Sequence, residues 1–189
     1  MGQYFKPCLL ADNKTTVKAW VYSHDITYTF KRSDGKKVEV GNGLKLMEHS
    51  YIGNEFVSAF ESLIKNNPQR VIWGGDYADK CRCLKTNTYD RCTDKNKVLP
   101  TERPNTRETR YVVNHSKKEF VDKYKVQEIE EWKGTKIHPL PLLTCNGNGR
   151  GGGDFTTDNK YIGTWARDII SVESKKPQGY KEIVPNFKE

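Results

Sequence analysis

The stretch Asn146-Gly147-Asn148-Gly149-Arg150-Gly151-Gly152-Gly153-Asp154 packs five glycines around one arginine. Glycine loses more conformational freedom on ordering than any other residue, so such a loop needs positive φ angles or close backbone approach to something. Successive N–H groups in a glycine-rich turn can form an anion-binding concavity. Arg150 would add a bidentate phosphate contact. Asp154 could hold Arg150, bind a ribose hydroxyl or cap the next turn. The match to standard phosphate loops is poor. The Gly-Lys-Ser/Thr of a P-loop is missing. Gly147-x-Gly149-x-x-Gly152 spells the dinucleotide fingerprint, but Phe155 to Tyr161 shows no following helix, which that fingerprint requires. The competing reading is a tight structural loop with an exposed tip.

Two Trp-x-x-Asp units come next, Trp73-Gly74-Gly75-Asp76 and Trp165-Ala166-Arg167-Asp168. Trp73 and Trp165 could stack a base, and Asp76, Asp79 and Asp168 could bind hydroxyls or a metal. Against this, such tryptophans are commonly core and such aspartates commonly cap turns. Each unit follows an apolar run, Leu44-Lys45-Leu46-Met47 or Leu140-Pro141-Leu142-Leu143, which would suit a degenerate duplication as well as chance. Glu48 and His49 could do acid–base work, although neighbours on a strand point to opposite faces. His24 beside Asp25 has the same limitation, and His138 before Pro139 reads as an ordering contact. Cys81-x-Cys83 and Cys92 could supply three metal ligands, but the spacing is not that of a zinc knuckle. Five scattered cysteines argue for reduced, unligated thiols.

The chain has 189 residues and a net charge of +8. That length suits one domain, residues 1–189, with a real core. The charge is local. Lys80 to Lys125 holds 13 Lys+Arg against 6 Asp+Glu, and the remainder 19 against 18. This segment could draw nucleic acid or an acidic protein, or form a solvated excursion. No apolar run reaches the roughly 18 residues of a membrane helix. The start Met1-Gly2-Gln3-Tyr4-Phe5-Lys6 lacks the apolar region of a signal peptide, and Lys6 stands where a myristoylation motif wants Ser or Thr. A cytoplasmic protein with no membrane partner is expected.

The positioning elements are read from periodicity. Tyr4–Leu10, Val17–Ser23 and Ile26–Phe30 have strand composition. Asp34-Gly35 could join the last of these to Val38-Glu39-Val40 as a hairpin. Leu44–Met47 reads as a strand. Phe56, Val57, Phe60, Leu63 and Ile64 form one apolar stripe, so a helix is expected over 54–65, capped by Asn54. Val71–Trp73 reads as a buried strand, and residues 80–110 as an exposed basic insertion. Tyr111–Asn114 is a strand. Ser116 with Glu119 spells a capping box for a second helix through about Glu131. Leu140–Leu143 reads as an apolar strand, and Tyr161–Ala166 and Ile169–Val172 supply the remaining ordered segments. The expected fold is α+β, a largely antiparallel sheet with two packed helices.

Met1-Gly2-Gln3-Tyr4-Phe5, Gly43-Leu44-Lys45-Leu46-Met47-Glu48-His49-Ser50, Trp73-Gly74-Gly75-Asp76-Tyr77-Ala78-Asp79 and the run from Leu140 through Asp154 together resemble a group of small uncharacterised proteins from bacteria and their tailed phages. The resemblance implies a bacterial or phage-infected cell and carries over no activity and no catalytic residue. Three functions compete. One is a binding protein for a phosphate-bearing, nucleotide-like small molecule, held by Arg150 and the loop N–H groups, with Trp73 or Trp165 stacking and Asp76 or Asp168 taking hydroxyls. A second is an inhibitor or nucleic-acid binder acting through 80–125. A third is a metal-dependent phosphoesterase built on Glu48, His49 and Asp76. The residues leave open which cofactor, if any, is used and whether the protein is an enzyme.

Overall fold

A computed structural model describes residues 3–81, 84–129, 134–148 and 160–187. The chain opens with an antiparallel pair, β1 (Phe5–Leu10) and β2 (Val17–Val21). A separate hairpin follows, β3 (Thr27–Lys31) and β4 (Lys37–Gly41), turned at Gly35 with φ +82°. Helix α1 (Glu55–Ile64) starts where Asn54 accepts hydrogen bonds from the N–H groups of Phe56 and Val57. Strand β5 (Gln69–Gly75) then runs beside β1. After the short strand β6 (Lys97–Val98) come β7 (Tyr111–Asn114) and β8 (Glu119–Asp122). Helix α2 (Pro139–Thr144), β9 (Cys145–Asn146), β10 (Ile169–Glu173) and β11 (Lys181–Glu182) complete the order.

The main sheet runs β11-β8-β7-β10-β5-β1-β2-β6, and it is mostly antiparallel. β11–β8, β2–β6 and β5–β9 are its parallel pairs. β5 shares one edge between two partners. β10 takes Gln69 and Arg70, and β9 takes Trp73 and Gly74.

Strand alternation splits the core. Phe5, Leu9, Val71, Trp73, Ile170 and Val172 face α1 and α2 in the larger cluster. Cys8, Leu10, Trp20 and Ile72 face the other way, where Cys92 joins them. The segment after β5 therefore covers the second face. It makes 3-10 turns at Tyr89–Arg91 and Asp94–Asn96 before pairing β6 with β2. The Thr93 carbonyl accepts from the Trp20 indole at 2.7 Å.

The α+β architecture stands, but three local expectations fail. The second helix is not at 116–131. Its capping-box pair lies in a β-hairpin, with Lys118 at φ +54° in the turn and Glu119 opening β8. Ser116 Oγ accepts instead from Ile169 N–H at 2.9 Å, so β10 takes the cap. Leu140–Leu143 is not a strand but helix α2, because Pro139 and Pro141 sit in a first turn where N–H groups have no intrahelical partner. Leu44–Met47 is not a strand either, and Leu46–Glu48 forms a 3-10 turn. The basic segment is only partly exposed, with Asn87, Thr88, Cys92 and Thr109 buried. No described helix is long and apolar enough to cross a membrane.

Candidate functional site

The expected ligand residues divide sharply. Gly149, Arg150, Gly151, Gly152, Gly153 and Asp154 lie outside the described residues. Gly147 is buried, and Asn148 exchanges hydrogen bonds with the Gln3 side chain. Trp73 and Trp165 are core residues, each 0% exposed. Trp73 packs edge-on against Phe56 and Phe60 and donates to His49 Nε2 at 3.1 Å. Trp165 donates to Glu119 Oε2 at 3.1 Å. Neither can stack a ligand in this arrangement. Asp76 Oδ1 accepts from Tyr4 N–H at 3.0 Å, and Tyr4 carbonyl accepts from Asp76 N–H at 3.0 Å. Asp168 Oδ2 accepts from Asn114 at 2.8 Å. Both aspartates tie the ends of strands. The two Trp-x-x-Asp units also differ in structure, one in β5 and one in a run of turns, so the duplication has no structural counterpart.

The phosphoesterase constellation is not assembled either. His49 is buried, and burial lowers its pKa to about 3, with the Gly43 backbone opposing. Glu48 turns back to accept from Lys45 N–H at 3.1 Å. Among the described residues no group of three or more His, Cys, Asp or Glu is placed to hold a metal. Cys8, Cys92 and Cys145 are free thiols, and Cys83 is not described.

Where β9 leaves β5, a different set converges. Gly74 makes a dent in the second sheet face. A Cβ there would lie 3.1 Å from Thr88 Cβ, so only glycine lets Thr88 sit so close. Arg91 Nη2 donates to Thr88 Oγ1 at 3.1 Å, and Arg91 Nη1 to Thr86 carbonyl at 3.0 Å. Arg167 Nη2 reaches the same Thr88 hydroxyl at 3.5 Å, and its Nη1 reaches Asn146 Oδ1 at 3.3 Å. Asn146 and Gly147 lead directly into the glycine-rich stretch. Arg70 Nη1 donates to Arg167 carbonyl at 2.7 Å.

Two features mark this cluster as more than a tie. Arg167 holds φ +69°, a left-handed conformation that costs a non-glycine residue on the order of 1 kcal/mol. It is held by Arg167 N–H to Val71 carbonyl at 2.8 Å and Val71 N–H to Asp168 carbonyl at 3.0 Å. The second feature is charge. Among the described residues no carboxylate lies within 4.0 Å of Arg70, Arg91 or Arg167. Burial, and then the Arg91 charge, push the Arg167 guanidinium below its ordinary pKa. Buried N–H groups at Arg70 Nε and Arg91 Nε find no acceptor among the described residues.

Comparison with family models, curated proteins and solved structures finds no match for this chain.

A second polar cluster lies on the helical side. Glu61, Lys123 and His138 are at most 3% exposed and line a cleft of about 260 Å³ with Asn54, Ser58 and Arg103. Glu61 Oε1 contacts Lys123 Nζ at 2.5 Å and His138 Nε2 at 3.1 Å, while Oε2 accepts from Thr109 at 3.0 Å. His138 Nδ1 accepts from Leu140 N–H, which leaves the proton on Nε2. Burial raises the Glu61 pKa, but the Lys123 and His138 contacts outweigh it and bring it to about 2. Every Glu61 oxygen is engaged, so the network reads as a structural lock between α1, the turn after β8 and the start of α2. The sequence signalled it only as Glu61 standing inside the apolar stripe of α1.

Proposed function

We propose that this protein binds a phosphate-bearing, nucleotide-like small molecule in a bacterial or phage-infected cell. The anion would sit against Arg91, Arg167 and the Thr88 hydroxyl, at the root of the glycine-rich loop. One observation carries the reading: two guanidiniums meet at one hydroxyl with no carboxylate among the described residues to neutralise them. Bringing like charges together in a partly buried place is unfavourable, and a bound anion turns that cost into a charge-assisted contact. Arg70 is placed to support Arg167 through its backbone. The glycine-rich loop remains a contributor, since it starts at the Asn146 contact.

The charge pattern supports a local site over a broad basic face. Lys97, Arg103, Arg110, Lys117, Lys123 and Lys125 of the basic segment each contact a carboxylate within 4.0 Å. Much of the local excess is therefore spent inside the molecule.

The test is calorimetric titration with inorganic phosphate and with adenosine monophosphate. Arg91→Ala and Arg167→Ala should each weaken binding about tenfold to a hundredfold, the range of a charge-assisted hydrogen bond. Arg167→Lys should recover little, because the planar fork is lost. Wild-type affinity in both alanine variants would falsify the assignment.

A further inference from the structure

Cys8 lies in β1, between β2 and β5, opposite Trp20 and Ile72. Cys92 follows the Tyr89–Arg91 turn, on the segment that covers this face. Their Sγ atoms are 3.3 Å apart. We propose that Cys8 and Cys92 form a peroxide-oxidisable dithiol whose disulfide resets the Thr88–Arg91–Arg167 cluster. The influence on anion binding rests on the function proposed above, whereas the dithiol itself does not.

The chemistry balances with hydrogen peroxide as the oxidant. One cysteine thiolate attacks the O–O bond and becomes a sulfenic acid, while the hydroxide released takes up a proton as water. The second sulfur then attacks the sulfenic sulfur. The S–S bond forms, the S–O bond breaks and a second water leaves. The two thiols lose two electrons and two protons, and the peroxide is reduced to water. Cys92 is the entry point, being 9% exposed where Cys8 is 0%. The thiolate is the nucleophile. Burial, followed by the contact with Cys92, pushes the Cys8 thiol well above its ordinary pKa. Cys8 must attack the Cys92 sulfenic sulfur as a thiolate, so the disulfide should close slowly at neutral pH and faster as pH rises.

Bond formation requires the sulfurs to close from 3.3 Å to about 2.0 Å. Cys8 is clamped by ladders on both sides, so the turn carrying Cys92 must move. Cys92 now donates its S–H to Thr88 carbonyl at 3.4 Å. A disulfide has no S–H, so this bond is lost by chemistry as well as by displacement. Thr88 is the residue on which both arginines converge. The redox state of the sulfur pair thereby reaches the anion cluster through one residue.

The experiment treats the full chain with hydrogen peroxide at pH 7 and pH 9. The protein is then denatured, alkylated with N-ethylmaleimide and peptide-mapped without reduction. The expected result is a Cys8–Cys92 linked peptide, faster at pH 9, absent in Cys92→Ser and reversed by dithiothreitol. Retention of both thiols overturns the dithiol. So does pairing with Cys81, Cys83 or Cys145, or conversion to sulfinic acid, while circular dichroism shows a folded chain. Phosphate titration of the oxidised and reduced protein tests the coupling, and severalfold weaker binding after oxidation is expected. Equal affinities with the disulfide present overturn the coupling. No phosphate binding by the reduced protein overturns the anion reading and the coupling together, leaving the peptide map to decide the dithiol.

Discussion

At the residue scale, the Lys123 ammonium sits 1% exposed between Glu61 and Thr109. Removing one member of a buried ion pair strands the other charge. Lys123→Met should destabilise the protein by about 3–5 kcal/mol in urea unfolding. Adding Glu61→Gln should return much of that loss, because it removes the stranded carboxylate. A double variant no better than the single one would count against an electrostatic origin. His49 supplies a pH dependence. Its folded pKa of about 3 lies below the ordinary 6.5, so the unfolded chain binds the extra proton between those values. Its contribution is complete above pH 6.5 and is lost as pH falls towards 3, with a slope of about 1.4 kcal/mol per pH unit. Glu61, at about 2 against an ordinary 4.5, adds a second slope of the same sign below pH 4.5. His49→Gln, which can still accept from Trp73, should remove one proton's worth of slope between pH 6 and 5. A slope unchanged from wild type in urea titrations at those two pH values contradicts this.

At the element scale, the sequence made regular pieces legible where one local pattern decided them. The α1 stripe with its Asn54 cap and the Asp34-Gly35 hairpin are such cases. It misled where a tertiary partner competed. Ser116 and Glu119 have the composition of a helix start, yet β10 and Trp165 take their side chains and β7 takes the Glu119 backbone. The site shows the same limit. Tryptophan and aspartate drew notice by residue type, but Trp73 and Trp165 have too much apolar surface to leave exposed. Arg91 and Arg167 are far apart in sequence and meet only because both are anchored at β5. Gly74-Gly75 was the one local trace of that meeting, a strand end cut down to admit another segment. Gly74→Ala should push Thr88 outwards, cost about 1–3 kcal/mol as overpacking does, and weaken phosphate binding in parallel. Undiminished phosphate affinity in a folded Gly74→Ala protein would detach Thr88 from the site.

At the scale of the whole molecule, the basic segment is stitched to carboxylates on several elements, among them Asp25, Glu55, Asp122 and Glu182. A ligand held by the arginine cluster should accordingly show a shallow salt dependence, matching roughly one or two phosphates. A steep slope in titrations across salt concentrations would instead point to a long polyanion on 80–125. The strand order has a different consequence, and it concerns synthesis. β10 stands between β5 and β7, and it joins the half-sheet built on β1 to the β7–β8 hairpin. At about 5–20 residues per second, a ribosome that has finished β5 needs roughly 5–20 s more to deliver β10. Throughout that interval the β5 edge lacks β10, and once β7 is made a second open edge joins it; such edges are templates for aggregation. Yield in the cell should thus depend on how well those edges are sheltered during translation, and slow synthesis without a holding chaperone should send the chain into inclusion bodies.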